Sequence, residues 1–490
     1  MDDIDIAVIG SGFSGLGAGI RLLQKGFTDF LIFERADDIG GTWRDNSYPG
    51  CACDVPSHLY SFSFALNPGW TDTFSGQREI WRYLQECVEK FGLRRHLRLG
   101  HAVEEAAWDE AARRWVLTTS RGMWRARVLI SAAGPLSEPS IPDVRGLESF
   151  AGEVFHSARW RHDLDLTGRE VAVIGTGASA VQFVPEIQPI VRRLTLFQRT
   201  PAWIMPRFTR RIGRLERAIY RNVPGAQWLV RAGSYWVRES MGIGFMHPAV
   251  NRFGQRIAER NLRRQVCDPV LREKLRPKYV MGCKRVLISN DFWPAVSRAN
   301  VDVVTSAITA VRPNGIATGD GAFYKAEAII FGTGFRVTDT PIKDHVRGRD
   351  GRTLAQAWDP TMRAYLGTTV AGFPNLFLLL GPNTGLGHTS VVLMLESQLK
   401  QVLKALEHMR RNGIEAIEPR VEAQRRDSAR VDRKMSGTVW ATGGCRSWYL
   451  DSTGRNSTLW PGFATTFRLR LSRFRPDDYL LVEVGASRAG

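Results

Sequence analysis

Two glycine-rich turns, and the residue that closes the strand after each, carry the first chemistry readable in this chain. Gly10-Ser11-Gly12-Phe13-Ser14-Gly15 follows the apolar run 4–9 and opens a helix-compatible stretch, 16–25. In strand, turn, helix order, Gly10 permits the tight turn, Gly12 lets backbone approach a pyrophosphate, and Gly15 lets helix pack on strand. The helix N-terminus favours the phosphate charge. The next apolar run, Phe30–Phe33, ends at Glu34, a carboxylate able to accept hydrogen bonds from an adenosine ribose.

A second unit starts at Val171-Ala172-Val173-Ile174, enters Gly175-Thr176-Gly177-Ala178-Ser179-Ala180 and continues into a helix. Its following strand ends in Gln198-Arg199-Thr200 instead of an acid. A guanidinium at the ribose-recognition position suits a 2'-phosphate where a carboxylate would repel one, so Arg199 and Thr200 point to NADPH over NADH. A surface arginine capping a strand would read the same way. Two dinucleotide units imply electron transfer between two cofactors, and FAD with NADPH is the natural pair.

The elements that must position these turns give an α/β chain with two Rossmann-like dinucleotide-binding domains. Segments 127–134 (RVLISAAG) and 328–335 (AIIFGTGF, followed by Asp339) read as strands bracketing an inserted domain, the second returning to the flavin sheet. The stretch 201–284 is Arg- and Trp-rich and helix-compatible, as in Arg214-Leu215-Glu216-Arg217-Ala218-Ile219-Tyr220-Arg221. It reads as a helical subdomain hung on the NADPH domain, a solvated face whose arginine stems cover apolar surface, in preference to membrane docking. The expected boundaries are 1–145 for the first part of the FAD domain, 146–329 for the NADPH domain and 330–490 for the returning FAD domain with a C-terminal segment facing NADP and substrate.

At 490 residues the chain exceeds one hydrophobic core. It contains no run of eighteen apolar residues and opens on acids, which predicts a non-secreted, cytoplasmic protein without an integral membrane segment. The net charge of +18 comes with no nucleic-acid-binding motif, and two polyphosphate cofactors account for part of it. Cysteines at 51, 53, 87, 267, 283 and 445 never form Cys-x-x-Cys and are expected to be reduced and structural; no metal site is expected. The Asn456-Ser457-Thr458 sequon reads as accidental.

Between the two units lies Gly40-Gly41-Thr42-Trp43-Arg44-Asp45-Asn46-Ser47-Tyr48-Pro49-Gly50-Cys51-Ala52-Cys53-Asp54, and before the second unit lies Phe150-x-Gly152-xxx-His156-xxx-Trp160. Together they resemble the Baeyer-Villiger monooxygenases. The first matches the G-G-x-W, aromatic-Pro-Gly, Asp pattern; the second matches the fingerprint, except that Arg161 stands where Pro or Asp is usual. The resemblance extends to Trp460-Pro461-Gly462. It implies flavin contacts from Thr42, Trp43, Arg44, Asp45, Asp54, Tyr60 and Val103, a 2'-phosphate contact from Lys284, a catalytic Arg285, and an NADP contact from Trp448.

The implied reaction inserts one oxygen of O2 beside a ketone carbonyl through a C4a-peroxyflavin, giving an ester or lactone. In it Arg285 is the fixed cation that stabilises charge in a water-excluded site, and Asp54 holds Arg285 in place. His156 is expected in an interdomain linker, coupling movement by hydrogen bonding, and His388 in a loop near the flavin, its role left open. Alternatives are a flavin N- or S-oxygenase, a pyridine-nucleotide disulfide reductase, for which Cys51 and Cys53 have the wrong spacing, and a non-catalytic flavin-binding redox sensor. Oligomeric state and the particular ketone are not encoded legibly.

Overall fold

The apolar run near the start forms β1 (Asp2–Ile9), in which Ile6, Ala7 and Val8 are fully buried between parallel neighbours on both sides. Burial on both faces is what a parallel strand covered by helices requires. The computed structural model describes residues 1–340, 342–445 and 447–483. Helix α1 (Phe13–Gln24) follows the first glycine turn and leads to β2 (Phe30–Phe33), parallel to β1. The sheet runs Val346–Arg347, Val103–Asp109, Arg114–Thr119, Gly122–Ser131, β1, β2, Leu97–Arg98, and Leu376–Leu378 also pairs parallel with Gly122–Ser131.

A second sheet is built on β3 (Glu170–Ile174), α2 (Ala178–Ile187) and β4 (Arg193–Phe197). Its order is Val301–Val304, β4, β3, Ala328–Phe331, Glu153–His156, with every pairing parallel. The expectation that 328–335 returns to the first sheet is therefore corrected. Ala328–Phe331 lies beside β3, and a Cβ on Gly175 would stand 2.5 Å from the Gly332 carbonyl oxygen. The chain rejoins the first sheet later, through Val346–Arg347 and Leu376–Leu378. An apolar strand ending in glycines looks the same whichever sheet it joins, which is why sequence alone misassigned it.

The insert folds as helices Arg214–Asn222, α3 (Ala226–Met246), Asn251–Gln265 and Pro269–Leu275. It leaves the second unit, yet its inner face is bolted to the first. Buried Arg231 donates to the carbonyl oxygens of His58 (2.7 Å) and Ser61 (3.0 Å). Buried Glu239 accepts from the Thr465 backbone N–H (2.7 Å) and hydroxyl (2.8 Å). Helix α4 (Val391–Asn412) packs Leu395, Leu399 and Val402 in the same core as Leu16 and Ile20 of α1. No helix among the described residues is long and apolar enough to cross a membrane.

The expectation of six reduced cysteines is also corrected. Cys283 and Cys445 form a disulfide across 162 residues of sequence, while Cys51, Cys53, Cys87 and Cys267 are free. The bond joins two segments that only tertiary packing brings together, so spacing carries no sign of it.

Candidate active site

The first cradle is made by close approach. A Cβ on Gly15 would lie 1.8 Å from the Gly10 carbonyl oxygen, and Gly10 itself has φ +99°, so neither position accepts another residue without rebuilding the turn. Gly12 faces Gly41, with 3.7 Å from its would-be Cβ to the Gly41 Cα. Buried Glu34 accepts from Ser11, both N–H (3.0 Å) and hydroxyl (2.7 Å), and from the Ala36 N–H (3.0 Å). Arg44 of the short helix Thr42–Asp45 lies 3.1 Å from Glu34, and Glu34 and Asp45 hold its guanidinium above the ordinary value against the opposing effect of burial. Trp43 donates its indole N–H to the Tyr60 hydroxyl at 3.1 Å. Val103 opens a strand whose lead-in, at His101, donates to the Glu34 carbonyl oxygen at 2.8 Å. The structure thus gathers Gly10, Gly12, Gly15, Glu34, Thr42 to Asp45 and Tyr60 about one turn, with Val103 two residues beyond His101 on the adjoining strand.

The second cradle repeats the device with Gly175 at φ +109°, Gly177 ahead of α2, and fully buried Ala180. The Thr176 hydroxyl donates to the Thr200 carbonyl oxygen at 3.2 Å, which places Gln198-Arg199-Thr200 beside the turn. Lys284 stands over the Tyr279 ring at 5.3 Å, and its ammonium is pulled below its usual value by burial and by the nearby Arg199 charge. Neither cation has an acidic partner among the described residues. Two unneutralised cations beside the ribose end of a glycine turn suit a 2'-phosphate. The glycine cradles and this cation pair fit the two dinucleotides.

Between the cradles runs the segment from Gly40 to Asp54. Its far half docks on α2: the Tyr48 hydroxyl donates to the Gln182 side-chain oxygen (2.9 Å), and the Gln182 side-chain amide donates to the Ala52 carbonyl oxygen (2.9 Å). Gly50, at φ +74°, comes so close that a Cβ would meet the Gln182 carbonyl oxygen at 2.7 Å. The segment ends at Asp54, which receives both prongs of Arg285, Nη2 to Oδ1 at 2.6 Å and Nε to Oδ2 at 2.8 Å. Burial raises the Asp54 carboxyl, but the Arg285 charge and hydrogen bond outweigh it and hold the group below the usual carboxylate range. Asp54 in turn drives the Arg285 guanidinium well above its ordinary value.

A family described as flavin-binding monooxygenase-like matches residues 3–214. A Baeyer-Villiger monooxygenase of Streptomyces coelicolor is 52% identical, covering 100% of this chain and 95% of that protein. One from Pseudomonas aeruginosa is 50% identical, covering 97% of this chain and 91% of its own length. The chain belongs to the Baeyer-Villiger monooxygenases. The crystal structure of OTEMO in complex with FAD and NADP is similar at TM-score 0.89 and 30% identity, covering 98% of this chain and 99% of that one. This Baeyer-Villiger monooxygenase is accordingly a flavin- and NADPH-dependent enzyme.

Three groups around the Asp54–Arg285 pair were not singled out in the sequence. Arg238 of α3 reaches the Asp54 carbonyl oxygen at 3.4 Å and sits over the Phe74 ring at 5.9 Å. Arg207 lies over the same ring at 5.6 Å and donates to the Phe74 carbonyl oxygen at 3.2 Å. Burial pulls both guanidiniums below their ordinary value. Buried Tyr449, pushed up to about 12 chiefly by burial and opposed by Arg285, completes the set. Arg231 and Arg238, two helical turns apart in an apolar stretch, were the available signal for an inward-facing basic stripe.

The other expected residues lie at the edge of this cluster or away from it. Trp448 is 44% exposed, with its ring 4.3 Å from Tyr449. His156 ends an edge strand of the second sheet instead of lying in a linker; its Nδ1 accepts from the Ala158 N–H (3.1 Å), and burial depresses its pKa to about 4. Trp160 packs on Phe155 and Phe183, and Arg161 pairs with Asp163 (2.6 Å) at the surface. His388 Nε2 lies 3.3 Å from Glu239, fixing the loop against α3. Burial pushes the free Cys51 thiol up to about 12 and the Cys53 thiol higher still, so neither supplies the thiolate a disulfide reductase needs.

Proposed function

We propose that this enzyme converts small-molecule ketones to esters or lactones with FAD on the first cradle, NADPH on the second, and Arg285 as the residue that stabilises the oxygen-transfer step. The observation that carries the proposal is the two-pronged Arg285–Asp54 bond at the junction of the cradles, with Arg238 donating to the Asp54 carbonyl oxygen and Arg207 sharing the Phe74 ring with Arg238. When bound, the flavin supplies reducing electrons to O2 and an activated oxygen. The chain's own work is electrostatic. Charge that develops on the carbonyl oxygen under attack meets a cation already fixed in place, and such an interaction lowers the barrier without reorganisation. Arg285 stays protonated and is not the proton acceptor. Asp54 fixes the plane of the guanidinium, and Tyr449 keeps its phenolic proton at neutral pH beside it.

Glu34 receives the adenosine ribose of FAD, while Thr42 to Asp45, Tyr60 and Val103 flank the flavin nucleotide. Arg199 and Lys284 hold the 2'-phosphate of NADPH, and Trp448 closes over it. The test is mass spectrometry of products formed from NADPH, isotope-labelled O2 and a panel of linear, cyclic and aryl ketones. One labelled oxygen in an ester or lactone supports the reading. Label recovered only in sulfoxides or N-oxides, or only in hydrogen peroxide across the panel, would overturn it.

A further inference from the structure

The outer face of the helical insert carries apolar side chains that nothing in the fold covers. On α3, Trp228, Leu229, Trp236 and Val237 are 59%, 66%, 62% and 59% exposed. On the preceding helix, Leu215 and Ile219 are 77% and 42% exposed and four residues apart, on one stripe, and Val223, just past its end, is 50% exposed. Arg231 and Glu239 bolt α3 to the first unit, and with the helix so fixed these side chains remain exposed. Single exposed apolar residues are ordinary; a continuous stripe of them marks a contact surface. The sequence-based expectation of arginine stems covering this face is not met.

Charge identifies the partner. Between Arg210 and Ala258 the sequence contains two carboxylates, Glu216 and Glu239. Glu216 is paired with Arg210 at 2.6 Å and Glu239 is buried. Arg211, Arg214, Arg221 and Arg252 are exposed, with no acidic partner among the described residues. An apolar stripe with tryptophans, rimmed by unneutralised arginines, has the composition of a helix that lies in a headgroup boundary. A second copy of the chain fits poorly, because a two-fold contact would set this basic rim against itself.

We propose that this face docks the enzyme on an anionic lipid surface, with the tryptophans entering the headgroup layer and the arginines meeting lipid phosphates. No membrane span is involved among the described residues. The test is flotation of the FAD-loaded full chain with vesicles of phosphatidylcholine alone and of phosphatidylcholine mixed with phosphatidylglycerol. Flotation with the mixed vesicles, weakened by salt and accompanied by a blue shift of tryptophan emission, is expected. The pair Trp228→Ser and Trp236→Ser abolishes it, and Arg214→Glu or Arg221→Glu each weakens partitioning by roughly fivefold or more. NADPH oxidation by all variants stays at the parent rate, which separates lost docking from misfolding. Absent flotation at low salt, equal flotation on phosphatidylcholine alone, or flotation indifferent to the tryptophan pair would overturn the proposal. So would light scattering showing a dimer that the same pair dissolves.

Discussion

Asp54→Asn isolates what the carboxylate does for Arg285. The substitution keeps the shape and one acceptor, but removes the charge and turns an amide toward the guanidinium. Losing one partner of a fully buried ion pair costs about 3–5 kcal/mol. Here Arg285 and Asp54 keep side-chain exposures of 32% and 22%, so solvent screens part of the loss. About 2–3 kcal/mol is the appropriate range, which corresponds to roughly thirty- to 160-fold in the rate of oxygen transfer. The proposed NADPH contacts, Arg199 and Lys284, are untouched, so the KM for NADPH should move little. The assay follows NADPH consumption, ester and hydrogen peroxide together. Ester per NADPH should fall while peroxide rises, with FAD content unchanged. Arg285→Lys should fail in the same way, because an ammonium retains charge without the planar fork that meets both Asp54 oxygens. A folded, FAD-loaded Asp54→Asn enzyme that kept its ester yield within about threefold would refute the reasoning and remove the pair from the chemistry.

Arg199→Ala should narrow the preference for NADPH over NADH by about tenfold, since a charge-assisted hydrogen bond to phosphate is lost; an unchanged ratio in a folded variant would displace the 2'-phosphate site. His58 and His156 are buried and depressed to about 4 from 6.5, chiefly by burial. Both are neutral when folded and bind more protons when unfolded, so their contribution is complete above pH ~6.5 and is lost as pH falls toward ~4. Thermal denaturation should therefore show a loss of about 2 kcal/mol per histidine by pH 5, which His156→Asn should halve. The pair Cys283→Ser and Cys445→Ser should lower stability by about 2–5 kcal/mol and also reduce ester per NADPH, because the disulfide ties the turn next to Lys284 and Arg285 to the loop carrying Tyr449. A reductant that left both readouts unchanged would show the bond to be dispensable.

Both glycine cradles were legible because each is local: strand, turn and helix follow one another in sequence, and a missing Cβ is a property of a single position. The positions of Glu34 and Arg199, just beyond the strands Phe30–Phe33 and Arg193–Phe197, were legible for the same reason. What escaped was produced by assembly. Ala328–Phe331 reads as an apolar strand with glycines after it, and only pairing with β3 shows which sheet it serves. Arg238 and Arg207 are two arginines among many in a chain of net charge +18; burial against Phe74 and proximity to Asp54 set them apart. The Cys283–Cys445 bond depends on a contact across 162 residues.

The long motif from Gly40 to Asp54 is contiguous in sequence for a mechanical reason. At one end Gly41 packs against Gly12 of the first cradle, and at the other Gly50 packs against Gln182 of the second, so the same short segment touches both dinucleotide units. Asp54, the last residue of that strap, then fixes Arg285, which arrives from the far end of the insert and is tethered next door by Cys283. Arg238 reaches Asp54 from α3, whose seat on the first unit depends on Arg231 and Glu239. Asp54 is therefore one of the contacts, with the Cys283–Cys445 bond, through which both units fix the cation at the centre. Placement of Arg285 thus depends on contacts that the strap makes with both cradles, which holds the fixed cation where the two nucleotide units meet.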